Sequence, residues 1–113
     1  MKILITAILL LTSFVYAQDT LDWTKESQKR LSWSDANIYC KNNNATLPSF
    51  DLMMKMWEKH DKTSEIAGFD LSVSYWTSTE EKGNPKAAHP FYFGTGKEGW
   101  YYKKDHYGVR CVK

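Results

Sequence analysis

A chain of 113 residues with 15 Lys and Arg against 13 Asp and Glu has the length of one domain once any leader is removed. Its net charge of +2 lacks the basic excess that nucleic-acid binding demands. Its two cysteines are too few to build a thiolate metal site.

Residues 1–17 read as a cleaved secretory signal. Met1-Lys2 is a minimal positive start, Ile3 to Leu11 is apolar but for Thr6, and Val15-Tyr16-Ala17 offers small residues for cleavage before Gln18. The alternative is an uncleaved anchor. A transmembrane helix needs about 20 apolar residues, and Thr12-Ser13 with the polar Gln18-Asp19 flank leaves this run too short. The mature chain, residues 18–113, is expected in the periplasm or outside the cell, with no stable membrane insertion after cleavage. In that oxidising setting Cys40 and Cys111 read as one disulfide, the alternative being two buried thiols. Closing so long a loop stabilises by roughly 4 kcal/mol in the chain-entropy picture, which a domain this small can use.

Charge is unevenly spread. Residues 18–81 carry 7 Lys and Arg against 11 Asp and Glu, whereas residues 82–113 carry 7 against 2. The final third is therefore expected to give the surface a basic side.

In chain order, Asp19 to Trp23 has the alternation of a short strand, and Lys25 to Arg30 is a charged loop. Ser32-Trp33-Ser34-Asp35 fits a capping box at a helix start. Trp33, Ala36 and Cys40 then share one helical face, and Asn42-Asn43-Asn44 ends the helix because Asn tolerates the left-handed conformation. Pro48 pushes Leu47 out of the helical region and leaves Ser49 to cap a second helix. Phe50, Met53, Met54 and Trp57 give that helix a buried stripe. From Gly68 the period becomes two. Leu71, Val73 and Tyr75 face one way, Phe91-Tyr92-Phe93 is a strand entered by Pro90, and Gly99 to Lys104 is another. Tyr107 to Val112 closes the chain as a last strand, with Tyr107, Val109 and Cys111 on one face and Arg110 and Val112 on the other. Helices followed by antiparallel strands predict an α+β domain.

Four stretches carry a resemblance: Trp33-x-x-Ala36-x-x-Tyr39-Cys40, Leu47-Pro48-Ser49 with Leu52, Tyr75-Trp76-Thr77-Ser78-Thr79, and Val109-Arg110-Cys111-Val112. In this order they resemble the C-terminal domain of legionella collagen-like adhesins, a domain of exported bacterial proteins, and Leu21-Asp22-Trp23 resembles its opening segment. The resemblance implies a C-type-lectin-like fold, with two helices, a twisted antiparallel sheet and a bond between the first helix and the last strand. The chain departs from the family pattern at Ala45-Thr46, where Trp-Arg is usual, and at Asp51, where Glu is usual. Arg110 belongs to the motif and is expected to be structural, its fork held by carbonyl or carboxylate groups.

Sugar-binding lectins of that superfamily hold calcium through several oxygen ligands. Calcium needs about six to eight of them. The one Asn-Pro here, Asn84-Pro85, has no acid beside it, and Trp100 leads into Tyr101-Tyr102, so neither a calcium site nor any other cofactor or metal is expected. His60, His89 and His106 lack ligand spacing, and no nucleophile elbow or phosphate loop is present, so an enzyme is not expected either. The expectation is a binding module whose candidate surface is Lys97, Trp100, Tyr101, Lys103, Lys104 and His106. Alternation buries either Trp100 and Tyr102 or Tyr101 and Lys103, so part of this set is expected in the core. The adhesin resemblance implies an anionic polysaccharide as ligand, bound without calcium. The rival is a cell-surface or periplasmic protein partner.

The leader makes one direct expectation: exported protein has an intact mass that begins at Gln18 and stays in the soluble fraction. A mass retaining residues 1–17, in the membrane fraction, would mean an anchor.

Overall fold

The computed structural model describes residues 21–60, 66, 68–96 and 99–113. The leader expected over 1–17 lies outside these residues, and so does Lys97.

Helix α1 runs from Trp33 to Asn42 and helix α2 from Phe50 to Lys59. Each begins where a serine leaves the helical backbone and turns its hydroxyl inward. Ser32 Oγ accepts from the Asp35 amide at 3.3 Å, and Ser49 Oγ from the Leu52 amide at 3.1 Å. Asp35 and Asp51 lie in the first turns, Lys41 and Lys59 in the last, each suiting the helix dipole. The first helix ends as its asparagines predict, with Asn43 at the cap and Asn44 at a φ of 54°.

Three strands follow: β1 (Ser74–Glu80), β2 (Ala87–Tyr92) and β3 (Tyr101–Tyr102), in the order β1-β2-β3 with antiparallel pairing. The predicted α+β order of helices, then sheet, is therefore present. Tyr75 and Trp76 are successive residues of β1 and point to opposite faces, yet neither is exposed to solvent at all. The strand divides two cores. On one side Tyr75 packs with Phe50, Met53, Ile66, Phe69, Val73, Phe91 and Phe93. On the other, Trp76 packs with Ala36, Cys40, Leu47, Ala88, Val109 and Cys111.

The pairing of β1 with β2 is regular from Ser74–Tyr92 to Trp76–Pro90 and resumes at Glu80–Ala88. Thr77, Ser78 and Thr79 therefore bulge opposite His89 alone. The bulge turns backbone groups away from β2 and towards both helices. The Trp33 indole N–H donates to the Thr77 carbonyl at 2.9 Å, and the Ser78 amide donates to Pro48 O at 2.8 Å. The Phe50 amide, one of the unpaired donors at the start of α2, donates to Thr79 Oγ1 at 3.0 Å. Pro90 lies inside β2 rather than at its first residue as expected from sequence. The ladder tolerates it because the Trp76 amide donates to Gly108 O, on the far side of β1.

Three expected strands are shorter or absent among the described residues, which do not include Asp19 and Thr20 of the first. The segment ending at Trp23 makes one bridge, to Val112, with Leu21 exposed. Tyr107 to Val112 is held by isolated bridges to Leu31, Tyr75, Trp23 and Thr46 instead of one partner strand. Its carbonyls at 107, 109 and 111 accept from Leu31, Ser27 and Thr24, while Gly108 exchanges bonds with Ser74 and Trp76. Such divided pairing satisfies the backbone without a continuous ladder. The alternation of side chains survives, since Tyr107, Val109 and Cys111 join one core while Arg110 packs across the other face. The third strand keeps only Tyr101 and Tyr102, opposite Ala88 and Ala87. Continuing that register would set Gly99 against Pro90, which has no amide to donate.

Arg110 is held as expected. Its Nε donates to Thr24 O at 3.0 Å, and its guanidinium lies 4.6 Å from the Phe69 ring centre and 5.8 Å from that of Trp23. Gly108 has a packing reason to lack a side chain: a Cβ there would sit 2.8 Å from Val73 Cγ1 and 3.1 Å from the Tyr75 ring.

The Cys40–Cys111 disulfide joins α1 to the closing segment, with Cα atoms 5.5 Å apart and a sequence separation of 71. Both half-cystines are buried beside Trp76. Replacing Cys40 with Ala is expected to lower unfolding free energy by about 2–5 kcal/mol, read by denaturant titration. An unchanged midpoint would show that the bond contributes nothing.

Candidate functional site

The basic and aromatic run at the end of the sheet alternates as its period of two requires. Trp100, Tyr102 and Lys104 share one face. The Trp100 and Tyr102 rings meet edge to face with centres 5.6 Å apart, and Lys104 Nζ lies 5.7 Å from the Tyr102 ring centre. Tyr101 and Lys103 take the opposite face. Tyr101 rests on Tyr107, which rests in turn on the buried Trp76, with centres 5.7 and 4.9 Å apart. Lys103 Nζ sits 4.2 Å above the Trp33 ring. Of the two registers that the sequence left open, the one turning Tyr101 and Lys103 inward is present. None of the three aromatics enters the core, however: Trp100, Tyr101 and Tyr102 keep 45%, 50% and 47% of their surface exposed. The short ladder goes with this, because among the described residues β3 is the edge strand and pairs with β2 alone.

Beside this row lies an open groove of about 530 Å³, lined by Pro85, Lys86, Tyr102, Lys103 and Lys104. One wall is the β1–β2 connection, shaped by Gly83 at a φ of 85° and by the Asn84 side chain, whose Oδ1 accepts from the Lys86 amide at 3.1 Å. The other wall is β3 and the turn after it. The two walls are joined where the Lys103 amide donates to Lys86 O at 2.8 Å.

The three lysines of the groove are not equivalent. Lys103 Nζ is held by Glu80 Oε1 at 2.5 Å and by the Pro85 carbonyl at 2.7 Å, beneath a side chain only 20% exposed. Its charge is locally matched. Lys86 and Lys104 are exposed, and among the described residues no carboxylate lines the groove. Of the residues singled out in the sequence, Tyr102, Lys103 and Lys104 thus meet there. Trp100 stands on the same face against Tyr102, Tyr101 lies behind it, and His106 is exposed on the following turn. Lys97 lies outside the described residues. Lys86 was missed because only the Ala87–Tyr102 register brings it beside Lys103, and composition cannot supply a register.

Other polar groups are committed elsewhere. The Tyr75 hydroxyl donates to Glu26 and accepts from the Asp70 amide. Burial, then the bond to Glu26, pushes the Tyr75 phenol above its ordinary range, whereas bonds from Ser72 hold the Asp70 carboxyl below its own. Burial likewise raises the Tyr107 phenol, helped by Asp105 and Tyr101. His89 Nε2 lies 2.8 Å from Glu81 Oε2. Among the described residues no three His, Cys, Asp or Glu side chains are placed to hold a metal ion. No helix among them is long and apolar enough to cross a membrane.

No protein-family model matches the chain, and no curated protein matches it.

Trp100 and Tyr102, half-exposed and outside both cores, make a clear expectation. Trp100→Ala and Tyr102→Ala should each change stability by no more than about 0.5 kcal/mol. Trp76→Ala, by contrast, should cost about 3–5 kcal/mol. Thermal or denaturant unfolding separates the two classes.

Proposed function

We propose that this chain is an exported, non-enzymatic binding module of C-type-lectin-like fold that takes an anionic glycan at the groove, without calcium. One observation carries the reading: the exposed Tyr102 ring, with Trp100 against it, and two exposed lysines meet at a single groove whose described lining holds no carboxylate. Aromatic rings offer apolar faces against which the C–H faces of sugars pack, and ammonium groups pair with sulfate or uronic carboxylate. Neutral sugars are better served by acid and amide side chains that bind paired hydroxyls, and those are missing from the described lining. The helix, helix, sheet order and the Cys40–Cys111 bond agree with what the adhesin resemblance implies. Export is supported by the leader pattern and by the disulfide.

Each exposed charge contributes little by itself, so a single copy should bind modestly and repeated copies on one polymer should gain by avidity. The second reading, a protein partner, is favoured by three consecutive half-exposed aromatics, a composition typical of interface centres. Salt separates the two, since a charge-led contact weakens as ions screen it.

The test is a heparin column and a glycan array, run with and without chelator across a salt gradient. Retention should be unaffected by chelator and should fall when Lys86 and Lys104 are both replaced by Gln. Elution at low salt, indifferent to those replacements, would overturn the glycan reading. A protein partner retained at high salt would establish the rival.

A further inference from the structure

We propose that Lys103 is the positioning residue of the groove, locked in place by Glu80, and makes no contact with the ligand. The inference rests on the groove reading above and changes which cation does the recognising.

Lys103 is tied at every polar group it has. Its amide donates to Lys86 O and its carbonyl accepts from the Trp33 amide, at 2.8 and 2.9 Å. Its ammonium bonds Glu80 Oε1 and Pro85 O and lies over the Trp33 ring. These partners belong to the first residue of α1, the end of β1 and the connection that forms one wall of the groove. A single residue just after β3 therefore fixes three separate elements around the cavity.

The Pro85 contact matters most for the groove. Pro85 and Lys86 are lining residues, and Asn84 and the Lys86 amide spend their hydrogen bonds within the connection itself. The ammonium of Lys103 holds the Pro85 carbonyl at 2.7 Å, while its amide holds the next carbonyl, that of Lys86. Two successive carbonyls of the wall are thus gripped by one residue. Glu80 supplies the charge that keeps the ammonium there rather than in the groove. An ammonium held against a carboxylate and an indole face has little charge left to offer a sulfate or carboxylate. Recognition then falls to Lys86 and Lys104.

A positioning role and a ligand contact predict opposite signs for one substitution. Glu80→Gln removes a negative charge near an anion-binding groove and releases an ammonium. If Lys103 touched the ligand, affinity would rise. If Lys103 positions the wall, affinity falls although the site has become more positive.

The experiment combines three readouts on the full mature chain. The first is acetylation rate of each lysine, followed by peptide mass. Lys103 should react at least about threefold more slowly than Lys86 and Lys104, and Glu80→Gln should erase that protection, a size matching exposed ion pairs. The second is amide hydrogen exchange over residues 82–86, which should quicken in Glu80→Gln and in Lys103→Gln. The third is affinity for a heparin-derived oligosaccharide, which should fall about two- to fivefold in both variants.

Equal acetylation rates, unchanged exchange, or tighter oligosaccharide binding by Glu80→Gln would each overturn the proposal. Should the wild-type chain bind no heparin oligosaccharide, the glycan reading fails on its own. The lock is then decided by acetylation and exchange, which need no ligand.

Discussion

The fold depends on the bulge at Thr77 to Thr79. A regular antiparallel pair would turn more of these residues' backbone groups into the β2 ladder and take from the helices their polar contacts with β1. By facing three residues against His89, β1 frees the Thr77 carbonyl, the Ser78 amide and the Thr79 hydroxyl for bonds elsewhere. One goes to the first residue of α1, one to the proline before α2, and one to the first amide of α2. The bulge thus sets the height of both helices over the sheet. It also satisfies one of the donors left unpaired at the helix starts, the Phe50 amide. The Thr77 hydroxyl fills the remaining gap by donating to His89 O at 2.5 Å.

Around that point the two cores have different kinds of cohesion. The Tyr75 side is aromatic, with Phe69 in ring contact with Tyr75, Phe93 and Trp23. The Trp76 side is smaller and is closed covalently, with Cys40 and Cys111 where a larger domain would place more side chains. Arg110 leans across to the aromatic core from the same closing segment that carries Cys111. A short segment with no continuous ladder is thereby fixed through its side chains, by a sulfur bridge on one face and a stacked guanidinium on the other.

Much of this was legible in the sequence, and the failures have identifiable causes. Helix starts were readable because Ser32 and Ser49 act within three residues of themselves, and local chemistry needs no knowledge of the fold. The alternation of Tyr107, Val109 and Cys111 was readable for the same reason. Strand extents were not, because a strand exists only with its partner. The closing segment bonds four different stretches, and nothing local distinguishes that from one ladder. At the candidate site, the aromatic and basic character of residues 100–104 was evident, while Lys86 and the captured state of Lys103 were not. Both depend on a pairing register between β2 and β3, which fixes neighbours some sixteen residues apart.

Pro90 links the architecture to the surface. It occupies the position opposite Trp76 where β1 asks no donor of β2, and so it costs the inner ladder nothing. On its other side it would face Gly99, where a donor is needed to extend β3, and there the ladder ends. Trp100 consequently lies beyond the paired residues, next to strand residues whose rings stay half-exposed. An aromatic surface that would destabilise a continuous sheet by inviting edge pairing is kept to two paired residues and ended by a turn, with the Asp105 amide donating back to Tyr102 O at 2.9 Å. The constraint that shortens the third strand is the same one that leaves its rings half-exposed.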